Sequence, residues 1–229
     1  YGTSEEIEAS FVEFANKVAD KSQLFITNEL PIEGVTCAVN EEAVYKAFNV
    51  RVGNGSYVFD VQTPTETIRD IAFGLPGRHN LMNALMALAM AKTFGTSSEA
   101  IAKALASFKG IRRRFSYQIK TPNLVYIDDY AHHPTEINAV HQAVRELYPN
   151  QKVLAIFQPH LFSRTKDFAD DFARSLSNFD EVVLLDIYPA RELPMEGITS
   201  QWLMNKMTSE NKKLVSKEDL IPTILASDA

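Results

Sequence analysis

A single cysteine, Cys37, stands among 229 residues, so no internal disulfide can form and a reducing, cytoplasmic setting is expected. Positive charge is not in excess. The formal net charge of −6 argues against a general nucleic-acid or membrane-surface binder, while leaving room for a local basic site. Long apolar runs are missing too: the longest, Leu81 to Ala91, is interrupted by Asn83 and is too short to cross a bilayer. No G-x-x-x-x-G-K-[ST] pattern occurs, which removes the usual phosphate loop from the chain's devices. Signal peptide, internal repeat and low-complexity segment are likewise absent. The chain starts at Tyr1 rather than Met, and the expectation is a piece of a longer protein.

What is present suffices for a core. Apolar residues make up 45% of the chain, enough for one large or two small domains. Thr3-Ser-Glu-Glu6 reads as a capping box, with Ile7, Phe11, Phe14 and Val18 on one face of the helix behind it. Between about Leu24 and Phe73 the pattern turns to short strands, at Val35–Val39, Tyr57–Val61 and Ile68–Phe73, with Gly53-Asn-Gly-Ser56 as a turn. The loop Phe73 to Asn80 opens an Ala/Leu/Met helix from Leu81 to about Phe94. A second helix runs from Ser98 to Phe108, and Lys109-Gly110 closes it.

From Ile111 strands and helices alternate. Strands are predicted near Phe115–Ile119, Leu124–Ile127, Val153–Phe157 and Val182–Leu185. Helices are predicted near Pro134–Leu147, Ser163–Leu176, Thr199–Met207 and Lys217–Leu225. That order predicts an α/β fold, with a mostly parallel sheet carrying helices on both faces of a second domain that begins near Gly110.

The densest chemistry lies in Tyr126-Ile-Asp-Asp-Tyr-Ala-His-His-Pro-Thr-Glu136. A buried strand there delivers two acids and two histidines to a helix start, with Pro134 in the first helical position and Glu136 in the acid-favouring first turn. Open α/β sheets bind ligands at such strand ends, where free N–H groups and the helix dipole attract anions. Two further strands end in polar clusters: Gln158-Pro-His160 with Ser163-Arg164, and Asp186, Tyr188 and Arg191-Glu192. In a parallel sheet the three clusters share one edge. His132 and His133 beside Asp128 and Asp129 admit a metal site, yet adjacent histidines point apart and the spacing does not suit zinc. Within Arg112-Arg-Arg114, an arginine held between a glycine and a strand could grip phosphate oxygens in bidentate fashion, or simply be solvated. Asn80 reads as a helix cap, whereas Asn83, one turn in, is an amide suited to a base edge.

Gly77-Arg-His-Asn-Leu-Met-Asn83, Arg112-Arg-Arg-Phe115, the Asp128 to Glu136 stretch, Phe157-Gln-Pro-His-Leu-Phe-Ser-Arg-Thr165 and Tyr188-Pro-Ala-Arg-Glu192 together resemble the Mur ligases of peptidoglycan synthesis, in particular the alanine-adding branch. The resemblance runs along the whole chain. It implies that residues 1–109 are the rear part of the family's central ATPase domain and 110–229 its C-terminal, Rossmann-like domain. The reaction implied joins L-alanine to UDP-N-acetylmuramate: ATP phosphorylates the carboxylate, magnesium offsets the charge, and the amine attacks the acyl phosphate. By position, Asn80 and Asn83 are expected at the adenine end of ATP, Arg114 at its phosphates and Asp129 at its ribose. His132 or His133 is expected to line the reacting site, and His160 and Arg164 to receive the amino acid. The magnesium ligands and the phosphate loop are expected in a missing front part, so this segment is not expected to work alone, and no metal ligand is assigned within it. Leu161 departs from the family, where many members carry arginine, which implies either that carboxylate recognition leans more heavily on Arg164 or that the grip on substrate is altered. A murein-tripeptide recycling ligase, a nucleotide- or partner-binding module without turnover, and a metal-dependent hydrolase stay open as alternatives. The oligomeric state is not legible.

Overall fold

The computed structural model describes residues 3–53 and 56–227, and the chain folds as two compact units, Tyr1–Arg112 and Arg113–Ala229. The expected turn at Gly53-Asn-Gly-Ser56 falls partly outside the described residues.

In the first unit, helix α1 (Ser4–Asn16) starts where the Thr3 hydroxyl accepts the Glu6 N–H at 3.3 Å. Its predicted apolar face is largely bare: Phe11 is 64% and Phe14 70% exposed. Behind it comes a five-stranded sheet in the order β1 (Phe25–Thr27), β2 (Val35–Val39), β3 (Tyr45–Gly53), β4 (Ser56–Gln62) and β5 (Thr67–Phe73). The pairs β1–β2 and β2–β3 are parallel, and β3–β4–β5 is an antiparallel meander. Helix α2 (Arg78–Thr93) lays Leu81, Ala84, Leu85, Leu88 and Ala89 against the sheet, a spacing that recurs on one helix face, and α3 (Ser98–Ser107) adds Ile101.

Two expectations change here. Helix α2 begins at Arg78 rather than Leu81, so its cap is Gly77, at φ 96°, and not Asn80. Helix α3 is already closed by extended backbone at Phe108. Gly110, at φ 87°, serves the next turn instead, where a Cβ would lie 2.9 Å from Leu75.

In the second unit β6 (Ser116–Lys120) and β7 (Val125–Asp128) form a separate antiparallel hairpin. The intervening turn is closed by the Thr121 N–H on Leu124 O, and so short a link cannot carry a parallel crossover. Helix α4 (Pro134–Leu147) follows, then β8 (Leu154–Phe157), α5 (Phe162–Asp167), α6 (Ala169–Leu176), β9 (Glu181–Leu184), α7 (Ser200–Lys206), β10 (Lys212–Leu214) and α8 (Leu220–Leu225). Strands β8, β9 and β10 make the parallel sheet, with β9 central. The α/β fold therefore holds, with the parallel part of the second unit confined to these strands.

Helix α4 shows why the unit coheres. Ile137 joins Phe172, Leu176, Val182, Leu184 and Leu203 in one core, while Ala143 and Val144 join Phe115 and Ile127 in another. The single helix predicted over Ser163–Leu176 breaks at Phe168 (φ −112°, ψ 22°), whose ring meets the edge of His133 at 4.7 Å.

Asp60 is the polar pin of the first unit. Its side chain is 3% exposed, and it lies where both neighbouring strands bulge, with Asn49 and Asp70 at φ 50° and 55°. The carboxylate accepts the Asp70 N–H at 2.9 Å and the Asn49 amide at 3.1 Å, with Arg51 and Arg69 at 3.8 and 3.6 Å. These bonds, led by the Asp70 N–H, outweigh desolvation and hold the carboxyl below its ordinary 3.8. A depressed carboxyl stabilises the fold above that ordinary value, and the stabilisation is lost as pH falls through the folded value. Asp60→Ala is expected to cost about 1–3 kcal/mol at pH 7, because it orphans a backbone donor. Denaturant midpoints at pH 7 and in acid check this: the variant should lose less stability on acidification than the parent does.

Candidate functional site

The site grows from the ends of β7, β8 and β9. At the first of these Asp129 is spent on the backbone: one oxygen accepts the Phe115 N–H at 2.7 Å and the other the Ala131 N–H at 2.8 Å. With the Tyr130 N–H on Arg113 O at 2.9 Å, this ties the arginine-rich entry segment to the strand end. Arg113 consequently lies over the Tyr130 ring, 4.7 Å from its centroid, and Arg114 lies 6.0 Å from the same ring and 3.7 Å from Glu136. Arg113 also approaches Asp128, at 3.8 Å. The residue pattern alone left the choice among Arg112, Arg113 and Arg114 open, and the family resemblance pointed to Arg114. The direction of Arg113 follows from its backbone, at φ 60°, which no pattern announces.

The two histidines part company. His133 caps α4, its Nδ1 accepting the Thr135 N–H at 3.3 Å, and it lines an open polar groove with Asp171, Arg174, Asn178 and Thr208. His132 turns the other way. Its Nδ1 is 2.9 Å from Tyr130 O, and a carbonyl can only accept, so Nδ1 carries the proton and Nε2 is the acceptor of the neutral ring. Glu136 completes the capping box by accepting the N–H groups of His132 and His133 at 2.9 and 3.2 Å. Partial burial alone would raise that carboxyl. The His132 N–H, the charges of His132 and Arg114, and the His133 N–H together keep it below its usual range.

At the second and third strand ends the parallel register runs on past the strands. The Tyr188 N–H donates to Pro159 O at 2.8 Å and the Leu161 N–H to Tyr188 O at 3.0 Å. This stacks His160 on Tyr188, centroids 5.6 Å apart and 28° between planes. Desolvation, then the positive charges of Arg164, His132 and Arg191, push the His160 imidazole below its ordinary value, with Glu192 opposing. His132 and Arg164 therefore both lie within electrostatic reach of His160, whereas His133 lines the groove. Such a rim can hold an anionic ligand beside neutral imidazole nitrogens. Among the described residues no three His, Cys, Asp or Glu side chains gather closely enough to hold a metal ion.

In the first unit Asn80 is buried, its amide donating to Pro76 O at 2.7 Å, and it braces the loop. Asn83 is exposed on α2. Around them Gly77 N–H donates to the Tyr57 hydroxyl at 2.9 Å and Arg78 to Val39 O at 3.1 Å.

Comparison with known proteins bears on this arrangement. A family profile described as "Mur ligase, glutamate ligase domain" matches residues 113–227, and one described as "Mur ligase middle domain" matches 1–91. The chain is 76% identical over all 229 residues to the UDP-N-acetylmuramate–L-alanine ligase of Flavobacterium johnsoniae, and 68% identical to that of Flavobacterium psychrophilum. In each case the match covers 100% of this chain and 51% of the relative, so the chain spans about half the length of the curated relatives it matches. Among solved structures, UDP-N-acetylmuramate-alanine ligase from Thermotoga maritima aligns with a TM-score of 0.74 at 24% identity, over 99% of this chain and 50% of that one. That likeness shows the fold alone.

The clustered cations predict an observable titration. The His160 imidazole should titrate below the ordinary 6.5, and Arg164→Ala should move it upward by removing the largest charge that opposes its protonation. Histidine-selective NMR titration of parent and variant measures both, and an unmoved His160 would place Arg164 elsewhere.

Proposed function

The chain belongs to the Mur ligase family, and from that premise we propose that it forms part of an ATP-dependent ligase joining L-alanine to UDP-N-acetylmuramate in peptidoglycan synthesis. What supports this reading is the 76% identity to a protein of that name, together with the nearness of Arg164 and His132 to His160 that their effect on its imidazole reports.

In the reaction proposed, the γ-phosphoryl group of ATP passes to the muramate carboxylate and ADP leaves. The amine of L-alanine then attacks the acyl carbon, phosphate departs from the tetrahedral adduct, and the nitrogen loses a proton. Little covalent chemistry falls to the protein, so positioning and charge stabilisation carry the acceleration.

Arg164 pairs with the carboxylate of alanine, its planar fork suiting two parallel hydrogen bonds. His160, disfavoured as the cation, stays a proton acceptor near neutral pH beside the incoming amine. His132 is the histidine assigned to the reacting site, because its Nε2 is left as acceptor, and His133 is assigned to the α4 cap. Arg114 is assigned to ATP phosphates. Asp129 is assigned to the ribose, each oxygen having a second lone pair beyond its backbone bond. Of the amides, Asn83 meets the adenine and Asn80 shapes the loop beneath it. Magnesium accompanies ATP as it does in the family. The described residues offer no cluster that fits the ion, so its ligands are not assigned to this segment and no step here is routed through it. No described helix is long and apolar enough to cross a membrane, and a cytoplasmic location is proposed with the activity.

In the full-length polypeptide that carries this segment, phosphate release from ATP should require both L-alanine and UDP-N-acetylmuramate. Arg164→Ala should raise the KM for alanine by about ten- to a hundredfold, the worth of a lost charged hydrogen bond, while the KM for ATP stays within about twofold. Steady-state phosphate assays read both, and an unchanged alanine dependence refutes the assignment.

A further inference from the structure

Helix α5 has no cap of its own. Its N-cap residue is Leu161, at φ 72° and ψ 134°, which offers no side-chain acceptor for the free N–H groups of the first turn. Six residues are also too few for a helix to persist without outside support. The missing acceptor comes from the loop after β9. One Glu192 oxygen accepts the Ser163 N–H at 2.9 Å and the other accepts the Ser163 hydroxyl. Glu192 is itself set in a turn by its N–H on Pro189 O, at 2.9 Å.

We propose that Glu192 is a positioning residue, whose carboxylate fastens the start of α5 to the loop after β9 and so fixes how His160 and Arg164 are presented. Both of its oxygens are engaged by Ser163, so it acts through that segment rather than on a ligand. Arg164 is the next residue in the chain, and His160 precedes the turn that Glu192 closes. The bonds from the Ser163 hydroxyl and N–H also hold the Glu192 carboxyl below its usual range, which keeps the cap ionised at neutral pH. A helix start is where an anionic substrate group would otherwise settle. Filling it from within leaves the Arg164 guanidinium as the anion's partner.

The consequence for substrate rests on the ligase reading, and the test separates the two. In the full-length protein, Glu192→Ala should accelerate backbone amide exchange at residues 162–165 and raise the KM for L-alanine by about tenfold or more, with the KM for ATP within about twofold. Glu192→Gln, which keeps one carbonyl acceptor, should recover a large part of both losses. Unchanged exchange at 162–165 in Glu192→Ala overturns the proposal, as does an equal rise in both KM values. If exchange responds as described but no amino acid supports phosphate release by the parent, the positioning role stands and the ligase reading falls.

Discussion

Everything at the rim depends on one backbone constraint, the continuation of the β8–β9 parallel register beyond the strands themselves. Phe157 pairs with Leu184 as the last ladder position, and the bonds between Tyr188 and both Pro159 and Leu161 carry the alignment across the loops. Without it, the segments bearing His160 and Arg191 would be free to separate, and the charges of Arg164 and Arg191 would drive them to do so. Strand β9 can impose this alignment because it is central in its sheet and buried along its length, with Val182, Val183 and Leu184 fully covered. Hydrophobic burial thus fixes the frame, and hydrogen bonds set the angles within it.

That frame gathers cations, which costs free energy unless something opposes it. Glu136 faces Arg114 and His132, and Glu192 offsets Arg191 and the site histidine. The remaining imbalance is visible in His160, whose protonation is disfavoured. An anionic ligand would relieve it, so binding would be strongest where the cations crowd one another most. The acids that moderate the rim are themselves tied to backbone N–H groups, which fixes where they stand beside the cations.

Much of this was legible in the residues. Pro134 and Glu136 announced the start of α4, and the three strand ends announced where polar side chains would cluster. What escaped has identifiable physical causes. Strand β3 was not marked because a bulge between Phe48 and Arg51 interrupts its alternation. The three residues of β10, two of them lysine, carry no apolar pattern at all. The hairpin β6–β7 was grouped with the parallel strands because its apolar residues look the same in either direction, and only the brevity of its turn distinguishes them. Asn80 looked like a cap since it stands immediately before the apolar run, yet its short amide reaches back to Pro76 and lets the helix begin earlier. The division of labour between His132 and His133 was legible only as a division: adjacency says they diverge, and the neighbouring Phe168 and Tyr130 decide which goes where.

The distribution of left-handed backbone separates the two units in kind. Among the described residues of the first unit, the non-glycine ones at positive φ are Asn40, Asn49 and Asp70, types that adopt this conformation at little cost. In the second they are Arg113, Phe115, Leu161 and Ala190, for which it is unfavourable, and every one of them lies in a loop at the candidate rim. Three are held by bonds already described: Arg113 through its carbonyl to Tyr130, Phe115 through its N–H to Asp129, and Leu161 through its N–H to Tyr188. Phe115 is further anchored by a ring that is 1% exposed. Backbone strain of this kind persists only where the surroundings over-determine it, and it concentrates where side chains must be aimed. Relaxing these residues would stabilise the loops locally while turning Arg114 and Arg164 away from the positions their neighbours now enforce. The sequence retains the unfavourable types at the rim and the tolerant ones in the meander, which is the pattern expected if side-chain direction, and not loop stability, is what the rim is built to preserve.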